Sequence, residues 1–251
     1  MKIFTEPEVF LIAEPHINFD GLNDFLGECG YPEAHESVKQ EAGVVVEIGG
    51  RMCFGSYKNF GKTVELVTKA VELGHGSIFE HANFTFAIAR CSRGFTHQMV
   101  RHRAGFAYSQ ESTHYIKYTH DNARFCVEPY SYDTPEKKET VEIFLNQSIN
   151  GYEILYDMLK AEETTKHNSC GAARQLLPNA IEAKILITAN MRAWRHFCEE
   201  RGNPHNTLEI RMVACKVLSI LQKRAKVLVY GLELFEDIDG RQSIKTLRKK
   251  I

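Results

Sequence analysis

The chain has 251 residues, and its 31 lysine and arginine residues nearly balance its 32 aspartate and glutamate residues, for a formal net charge of −1 at pH 7. This balance argues against a protein that is held to nucleic acid or to a membrane surface mainly by bulk charge. Apolar residues make up 43% and charged residues 25% of the sequence, values that exclude an intrinsically disordered or collagen-like chain.

The N-terminal half contains both strand-like and helix-like patterns. Phe84, Phe86 and Ile88 alternate with more polar residues, which indicates a half-buried strand. Gly74 follows a helical pattern at the position where a left-handed C-terminal cap belongs, and Ser92 can cap the helix after it. The predicted elements are a strand at Val9–Ala13, helices at Glu36–Met52 and Thr63–Leu73, a strand at Asn83–Arg90, and a helix from Ser92 through His102.

The C-terminal half is predicted to be helical. Thr134 and Pro135 combine a helix cap with a proline at the first helical position. Further helices are predicted at Pro178–Glu200 and Leu208–Arg224, the latter capped by Thr207. Because strands come early and helices late, we expect an α+β fold rather than a doubly wound parallel sheet. With no repeat or linker, we expect one domain over residues 1–251, with a basic tail at its end.

Several classes of site and location are disfavoured. The seven cysteines are widely spaced without a C-x-x-C pair, so we expect reduced, mostly buried thiols. Six of the eleven histidines lie between His75 and His120, but without H-E-x-x-H spacing we expect no metal site. No apolar stretch approaches the ~20 residues of a membrane-spanning helix, and Glu6 interrupts the start of any secretion signal. We therefore expect a cytoplasmic protein without membrane or nucleic-acid partners.

The segment from Gln98 to Arg103 is a compact array of hydrogen-bond donors. On a helix, Gln98, Arg101 and His102 share one face, and arginine presents a planar fork that binds two oxygens at once. The following run, from Tyr108 to Tyr115, is rich in hydroxyl and amide groups, which are costly to bury without a polar partner. A nucleotide is one candidate partner, and a solvated basic patch is the alternative.

A second group of cations lies downstream. Arg174 is on an otherwise uncharged turn, whereas Arg192 and Arg201 flank His196 within an apolar helical pattern. Charged residues in such a pattern need a partner. The alternative to a binding role is an ion pair with one of three nearby glutamates, which are Glu199, Glu200 and Glu209.

Together these stretches resemble the flavin-dependent thymidylate synthases from about Gly50 to Leu232. The triplet Arg101-His102-Arg103 is weak alone, but it occurs with six further blocks in the same order and at compatible spacing. The blocks are Gly50–Phe54, Gly74-His75 with Phe79–His81, Phe84–Phe86, Tyr108–Gln110 with Ser112 and Tyr115, Ala173-Arg174 with Leu177-Pro178, and Asn190 with Arg192, Phe197, Arg201 and Glu209–Arg211.

The resemblance implies an α+β fold, with a central antiparallel or mixed sheet flanked by helices, in a homotetramer whose sites are shared between subunits. It implies methylation of dUMP at C5, with methylenetetrahydrofolate as one-carbon donor and NADPH-reduced FAD as hydride source. The implied cofactor-binding residues are Ser77, Arg101, His102, Arg103, Gln110, Asn190, Arg192 and His196. The implied nucleotide-binding residues are Gln98, Arg101, Gln110, Glu111, Ser112, His114, Arg174 and Arg201.

The resemblance places the catalytic role on Arg201, beside N3 and O4 of the pyrimidine. C5 of uracil is a weak nucleophile, and negative charge at N3 and O4 pushes electron density toward it. A fixed guanidinium stabilises that charge. No cysteine nucleophile is needed, which fits a chain whose cysteines have no obvious activating neighbour.

The chain departs from the family pattern on the nucleotide side. Ala104–Phe106 contains an apparent one-residue insertion, Ala107 replaces a common serine, and His114 stands where an arginine is usual. Asn206-Thr207 replaces a common alanine-glutamine pair. The departures motivate a second hypothesis, in which the acceptor is a different pyrimidine nucleotide, such as UMP or a modified dUMP or dCMP. A third is a non-enzymatic nucleic-acid-binding protein with a surface of Arg101, Arg103, Tyr108 and Tyr115.

Overall fold

The computed structural model describes residues 1–31 and 41–247. Their contacts form two compact units. Unit 1 comprises Met1–Val9, Ala87–Arg101 and Tyr108–Leu186, and unit 2 comprises Phe10–Phe86, His102–Ala107 and Ile187–Ile251, as far as these are described. The single domain that the sequence favours over residues 1–251 stays a prediction.

The strands form three sheets in the described part of the chain. They are β1 (Lys2–Phe4), β2 (Glu8–Ala13), β3 (Asn83–Ala89), β4 (Phe106–Gln110), β5 (Arg124–Cys126), β6 (Ile185–Asn190), β7 (Leu232–Glu236) and β8 (Gln242–Thr246). β1 is parallel to β5, with Ile3 opposite Phe125. One sheet has the order β2-β3-β6-β4, and β7 pairs antiparallel with β8, with Leu234 opposite Ile244.

The helices of the described residues are divided equally between the two halves of the chain, four in each. They are α1 (Phe19–Glu28), α2 (Glu41–Phe54), α3 (Thr63–Leu73), α4 (Arg93–Met99), α5 (Pro135–Ala161), α6 (Lys166–Ala173), α7 (Met191–Arg201) and α8 (Leu208–Arg224). Short 3-10 helices occur at Tyr57–Asn59, Gly76–His81, Pro129–Ser131, Arg174–Leu176 and Lys226–Val229. This mixture of strands and helices confirms the predicted α+β class.

Local signals placed several elements correctly. α3 and α8 have the predicted bounds, and Gly74 is a left-handed cap with φ of 75°. Ser92 and Thr134 cap α4 and α5 by accepting hydrogen bonds from backbone N–H groups of the first turn. Thr207 stands at the cap position of α8, but its side chain makes no capping hydrogen bond.

The predicted helix at Pro178–Glu200 is wrong over its first half. The chain forms strand β6 there, because Ile185, Ile187 and Ala189 are buried while the residues between them are less buried, the alternation of a strand. The helix begins at Met191, where the Asn190 side chain caps it by accepting a hydrogen bond from Ala193 N at 2.9 Å.

The predicted helix from Ser92 through His102 ends early, at Met99. The next turn is closed by a hydrogen bond from Phe106 N to Arg103 O at 3.2 Å. It contains Gly105 at φ of 76°, which a right-handed helix cannot accommodate. Gln98, Arg101 and His102 therefore do not share one helical face, which corrects that prediction.

Two predicted segments reach beyond the described residues. The helix predicted at Glu36–Met52 is described only from Glu41, as α2, and its first five positions lie outside the described residues. The predicted basic tail, Lys245–Ile251, begins within β8, and its last four residues also lie outside.

The cysteines are free, and most of them are buried, as predicted. Burial raises the pKa of the Cys215 thiol to about 12 and also raises the pKa of Cys198. Cys53 is exposed, and Cys29 is half-buried. These two buried thiols are therefore protonated at neutral pH and pack as small apolar groups.

The buried carboxylate of Glu47 in α2 binds both Arg51 of the same helix and the start of α3. Glu47 accepts hydrogen bonds from Arg51 Nη2 at 2.9 Å, from Lys62 N at 3.1 Å and from Thr63 Oγ1 at 2.6 Å. The Glu47 and Arg51 side chains are 1% and 10% exposed. Glu47 thus accepts hydrogen bonds from donor groups at the N-terminus of α3 and also pairs with the buried guanidinium of Arg51.

Glu47→Ala is expected to lower the free energy of unfolding by about 3–5 kcal/mol, because it leaves the Arg51 charge buried and unpaired. Chemical denaturation of the purified variant measures this. Asp133→Ala is the control, since its pair with Lys137 is 49% exposed on both sides and such pairs contribute about 1 kcal/mol or less. Equal losses in the two variants would contradict the role given to Glu47.

Candidate functional site

Arg201 and His102 meet within unit 2. Arg201 is the last residue of α7, and His102 lies in the turn before β4. Arg201 Nε donates a hydrogen bond to His102 Nε2 at 2.9 Å, and Arg201 Nη1 donates to Asn206 Oδ1 at 3.4 Å. Because an arginine side chain has no acceptor, His102 Nε2 must carry its lone pair toward the guanidinium.

His102 is held in its neutral form. Its ring lies among Phe106, His196 and Phe197, with ring centroids 6.0, 5.8 and 5.5 Å away. Burial, followed by the positive charge of Arg201 and the neighbouring His196, lowers the pKa of His102 to about 4. The neutral imidazole orients Arg201 without cancelling its charge.

Asn206 fixes the other side of Arg201. Its Nδ2 donates to Glu200 O at 2.7 Å, which turns its Oδ1 toward the guanidinium. Arg201 does not form the structural ion pair that the sequence allowed with Glu199, Glu200 or Glu209; its two described partners, His102 and Asn206, are both uncharged. Asn206, one of the departures from the family pattern, is thus a partner of the predicted catalytic arginine.

The apparent insertion packs onto the start of α7. Asn190 N donates to Gly105 O at 3.2 Å, and a Cβ on Gly105 would lie 2.6 Å from Asn190 Nδ2. The left-handed φ of Gly105 and this close approach both require glycine. The turn from His102 to Phe106 is therefore built around Asn190.

The remaining residues predicted for the cofactor have varied surroundings. Arg101 and Arg103 are exposed, and within residues 1–31 and 41–247 neither side chain forms a hydrogen bond or an ion pair. Arg192 pairs with Glu80 at 2.7 Å, with both side chains close to half exposed. His196 is exposed on α7 and contacts the His102 ring. The two arginines are thus available to bind an anionic group.

Ser77 lines a separate cavity of about 650 Å³ in unit 2. The walls are apolar at Phe54, Leu66 and Ile78 and carry the cations of Lys62 and Lys69. The His75 ring stacks on Phe54 with a centroid distance of 6.4 Å. The cavity combines apolar surface with positive charge.

Unit 1 holds most of the residues predicted for the nucleotide. Gln110 Nε2 donates to Thr96 Oγ1 at 3.1 Å, and Glu111 pairs with Lys184 at 2.8 Å. Ser112 Oγ accepts a hydrogen bond from His114 N at 3.3 Å. These contacts hold the polar segment that follows β4 in a defined conformation.

A cavity of about 340 Å³ in unit 1 is lined by Arg93, Arg174, Thr113 and Asn179, among other residues. Arg174 Nη1 donates to Thr113 Oγ1 at 3.1 Å. Arg93 Nη1 is buried and has no hydrogen-bond partner in the described part of the chain. A buried unpaired donor beside a second arginine favours an anionic ligand.

His114 contacts a histidine that the sequence analysis did not single out. His114 Nδ1 and His167 Nε2 are 3.3 Å apart, with ring centroids 4.7 Å apart. Tyr115 also packs on the His167 ring, at 5.0 Å. His167 is on α6, one turn from Gly171 and two turns from Arg174.

We expect the His102 imidazole to titrate near pH 4, as followed by NMR of labelled histidine. Because this folded-state pKa lies below the value near 6.5 of an unfolded histidine, protonation favours unfolding. The contribution of His102 to stability therefore falls as the pH drops from about 6.5 toward about 4. Arg201→Ala should raise the midpoint, since it removes a neighbouring positive charge. A midpoint near pH 6 in the unmodified protein would contradict the neutral-acceptor assignment.

A family model described as thymidylate synthase complementing protein matches residues 37–225. The flavin-dependent thymidylate synthase of Mycobacterium avium (strain 104) is 32% identical over 243 residues, which cover 92% of this chain and 95% of the relative. That of Mycobacterium marinum is 34% identical over 230 residues, covering 87% and 90%.

The chain belongs to the flavin-dependent thymidylate synthase family. A crystal structure of the UMP/dUMP methylase PolB from Streptomyces cacaoi, bound with 5-Br dUMP, matches the fold with a TM-score of 0.65 and 18% identity, over 91% of this chain and 95% of that one. The fold predicted from the family resemblance is therefore confirmed.

Sequence reasoning missed four polar residues of this family member's candidate sites: Arg93, Thr113, His167 and Asn206. Arg93 directly follows the cap residue Ser92, and an arginine in the first turn of a helix is expected to be exposed to solvent. His167 and Asn206 contact their partners across 53 and 5 residues of sequence. Asn206 had a signal as a departure from the family pattern, and Thr113 lay within the polar run from Tyr108 to Tyr115.

Neither a metal site nor a membrane-spanning helix is found among the described residues. No group of three or more histidine, cysteine, aspartate or glutamate residues there has the arrangement of a metal site. No helix in that part of the chain has the length and apolar character needed to cross a membrane.

Proposed function

We propose that this protein is a flavin-dependent thymidylate synthase, which methylates dUMP at C5 to give dTMP. Methylenetetrahydrofolate is the one-carbon donor, and FAD, reduced by NADPH, is the hydride source. Family membership over most of the chain supports the reaction. The structural observation that carries the proposal is the hydrogen bond from Arg201 Nε to the neutral His102 imidazole.

Arg201 is proposed as the catalytic residue. Its partners, His102 and Asn206, hold the guanidinium in place but are uncharged, so its full positive charge remains for the substrate. Beside N3 and O4 of the pyrimidine, this charge stabilises the electron-rich form of the ring, in which C5 is more nucleophilic. A carboxylate partner would have neutralised much of that charge.

The residues proposed to bind the flavin are chemically suited to FAD. Arg103, like Arg101 before it in the chain, has no protein partner among the described residues and can bind phosphate oxygens through its fork. Ser77, Asn190, Arg192 and His196 are proposed to complete the flavin-binding set, with Gln110. When bound, the flavin supplies the hydride chemistry, and the protein binds and orients it.

The nucleotide-binding residues proposed in unit 1 are suited to a phosphorylated pyrimidine. Arg174, with Arg93, offers a pair of guanidinium groups to the phosphate in the 340 Å³ cavity. Gln98, Gln110, Glu111 and Ser112 supply amide, carboxylate and hydroxyl groups to the sugar and the base. We further propose that the enzyme works in the cytoplasm as a homotetramer that shares its sites between subunits, as the family resemblance implies.

A second candidate keeps the flavin and the folate but changes the acceptor to another pyrimidine nucleotide. It is favoured by His114, which stands where the family usually has an arginine, and by the insertion at Gly105. The fold neighbour PolB is itself named as a UMP/dUMP methylase. We rank dUMP first because relatives that are 32% and 34% identical over most of the chain are named thymidylate synthases, whereas PolB is 18% identical.

The test is to incubate the FAD-loaded protein with dUMP, methylenetetrahydrofolate and NADPH and to identify the pyrimidine product by mass. We expect dTMP, and we expect none when NADPH or the folate is omitted. Parallel reactions with UMP and dCMP distinguish the second candidate. A protein that stays colourless after reconstitution with FAD would overturn both.

A further inference from the structure

His114 and His167 form an imidazole pair that is built into unit 1. Their nitrogens, Nδ1 and Nε2, are 3.3 Å apart. The His114 ring also lies against the backbone of α6, where a Cβ on Gly171 would come within 3.1 Å of its Cε1 and Nδ1. Since Gly171 has no side chain, the imidazole can reach this position next to His167.

A hydrogen bond between two imidazoles limits the protons that the pair can hold. One ring must donate and the other must accept, so one of the two facing nitrogens has to be bare. A single extra proton converts this contact into a stronger, charge-assisted hydrogen bond. A second extra proton would place two cations in contact, so the pair accepts at most one.

Desolvation and the charged groups around His114 favour its neutral form in the free protein. His167 faces it from α6, Arg174 from the end of that helix, and Arg93 from α4. Desolvation, followed by the charges of Arg174, His167 and Arg93, lowers the pKa of His114. An anion bound by Arg93 and Arg174 in the neighbouring cavity would offset those charges.

We propose that the His114–His167 pair takes up one proton when the phosphate group of the nucleotide binds. The proton enters at His114 Nε2, while His114 Nδ1–H donates to His167 Nε2 and the His167 Nδ1–H is retained. His114 then presents a cation to the phosphate, and His167 is a positioning residue that acts through it. This inference rests on the proposed function, since it takes a nucleotide phosphate as the ligand.

The pair gives the binding site a charge that depends on pH, where the family's usual arginine would be permanently charged. Because binding raises the proton affinity of the pair, nucleotide affinity is highest below the pKa of the free pair and falls as the pH rises from there through the pKa of the complex. Each pH unit between the free-state and bound-state values costs up to about tenfold in affinity.

The experiment is isothermal titration of the FAD-loaded protein with dUMP at pH 7.5, in buffers of different ionisation enthalpy but equal ionic strength. The dependence of the observed heat on buffer gives the number of protons taken up per nucleotide. A bound dianion raises the pKa of a nearby histidine by about 1–3 units, so we expect a net uptake of more than zero and at most one proton per nucleotide. Titration with inorganic phosphate tests whether the phosphate group alone is sufficient.

Three variants separate the roles. His114→Arg should abolish proton uptake while keeping or tightening dUMP binding, because the charge becomes permanent. His167→Phe keeps a ring against Tyr115 but removes the acceptor, so uptake should fall by at least half and affinity should weaken. His120→Gln is the matched control: His120 bonds to Asn150 at 2.7 Å in the same unit, and its removal should leave proton uptake unchanged.

The outcomes distinguish this inference from the proposed function. Binding of dUMP without proton uptake, or uptake that persists in His114→Arg, would overturn the inference and leave the proposed function intact. Absence of dUMP binding in the FAD-loaded protein at every pH would instead overturn the proposed nucleotide. If proton uptake falls as much in His120→Gln as in His167→Phe, the loss is not specific to the His114–His167 pair, and this too would overturn the inference.

Discussion

Arg201→Ala is expected to reduce kcat by about 10²–10³-fold, the usual effect of removing one preorganised group that stabilises developing charge, while the protein keeps its flavin. The reason is that Arg201 is held by His102 and Asn206, at 2.9 and 3.4 Å, and both partners leave its charge available. Steady-state turnover, together with the absorbance of bound flavin after gel filtration, measures the two effects separately.

Two variants serve as controls for Arg201. Arg201→Lys restores the charge but cannot reproduce the Nε contact with His102, so it should recover only part of the activity. Asn206→Ala removes the longer contact and leaves Arg201 bonded to His102, so it should cost less than Arg201→Ala. If Arg201→Ala instead loses its yellow colour, the residue belongs to flavin binding and the catalytic assignment is wrong.

Arg174→Ala is expected to weaken dUMP binding by about 30-fold or more, because the bound phosphate would enclose its contact with Arg174, and truncating one partner of an enclosed charged contact costs about 2 kcal/mol or more. Arg174 and Arg93 line the same cavity, and the loss leaves Arg93 as its only guanidinium among the described residues. The affinity is measured by titration with dUMP, and kcat at saturating dUMP should change much less, as for a contact made equally in ground and transition states.

Thr113→Val is the matched control for Arg174. It removes only the acceptor of the 3.1 Å hydrogen bond from Arg174 Nη1, so its effect on dUMP affinity should stay below about tenfold. Unchanged affinity in Arg174→Ala would show that the phosphate binds elsewhere. A large fall in kcat at saturating dUMP would show that Arg174 acts on the reacting ring rather than on the phosphate.

The sequence predicted those elements whose signals are local. Thr63–Leu73 has a helical apolar face and a terminal glycine, and both its ends agree with the structure. The pattern at Ile187 and Met191 was ambiguous, because a four-residue spacing also occurs where a strand ends and a helix begins. The cap at Asn190 resolves the ambiguity in the structure, but an asparagine alone did not reveal it beforehand.

The sequence predicted which residues belong to the candidate site, but it did not predict which of them contact one another. The family resemblance supplied Arg201 and His102, yet nothing in the sequence indicated that they are hydrogen-bonded across 99 positions. The same holds for His167, whose contact with His114 depends on the space left by Gly171 on α6. Such contacts depend on the tertiary fold, and the local sequence around each residue does not indicate them.

The burial of most cysteines has a practical consequence for labelling the folded protein. Thiolates are the species that maleimide and iodoacetamide dyes attack, and burial keeps Cys198 and Cys215 protonated. Cys53 is the exposed thiol, and it lines the 650 Å³ cavity with Ser77. A fluorophore can therefore be attached there to the unmutated chain, where its emission reports occupancy of that cavity.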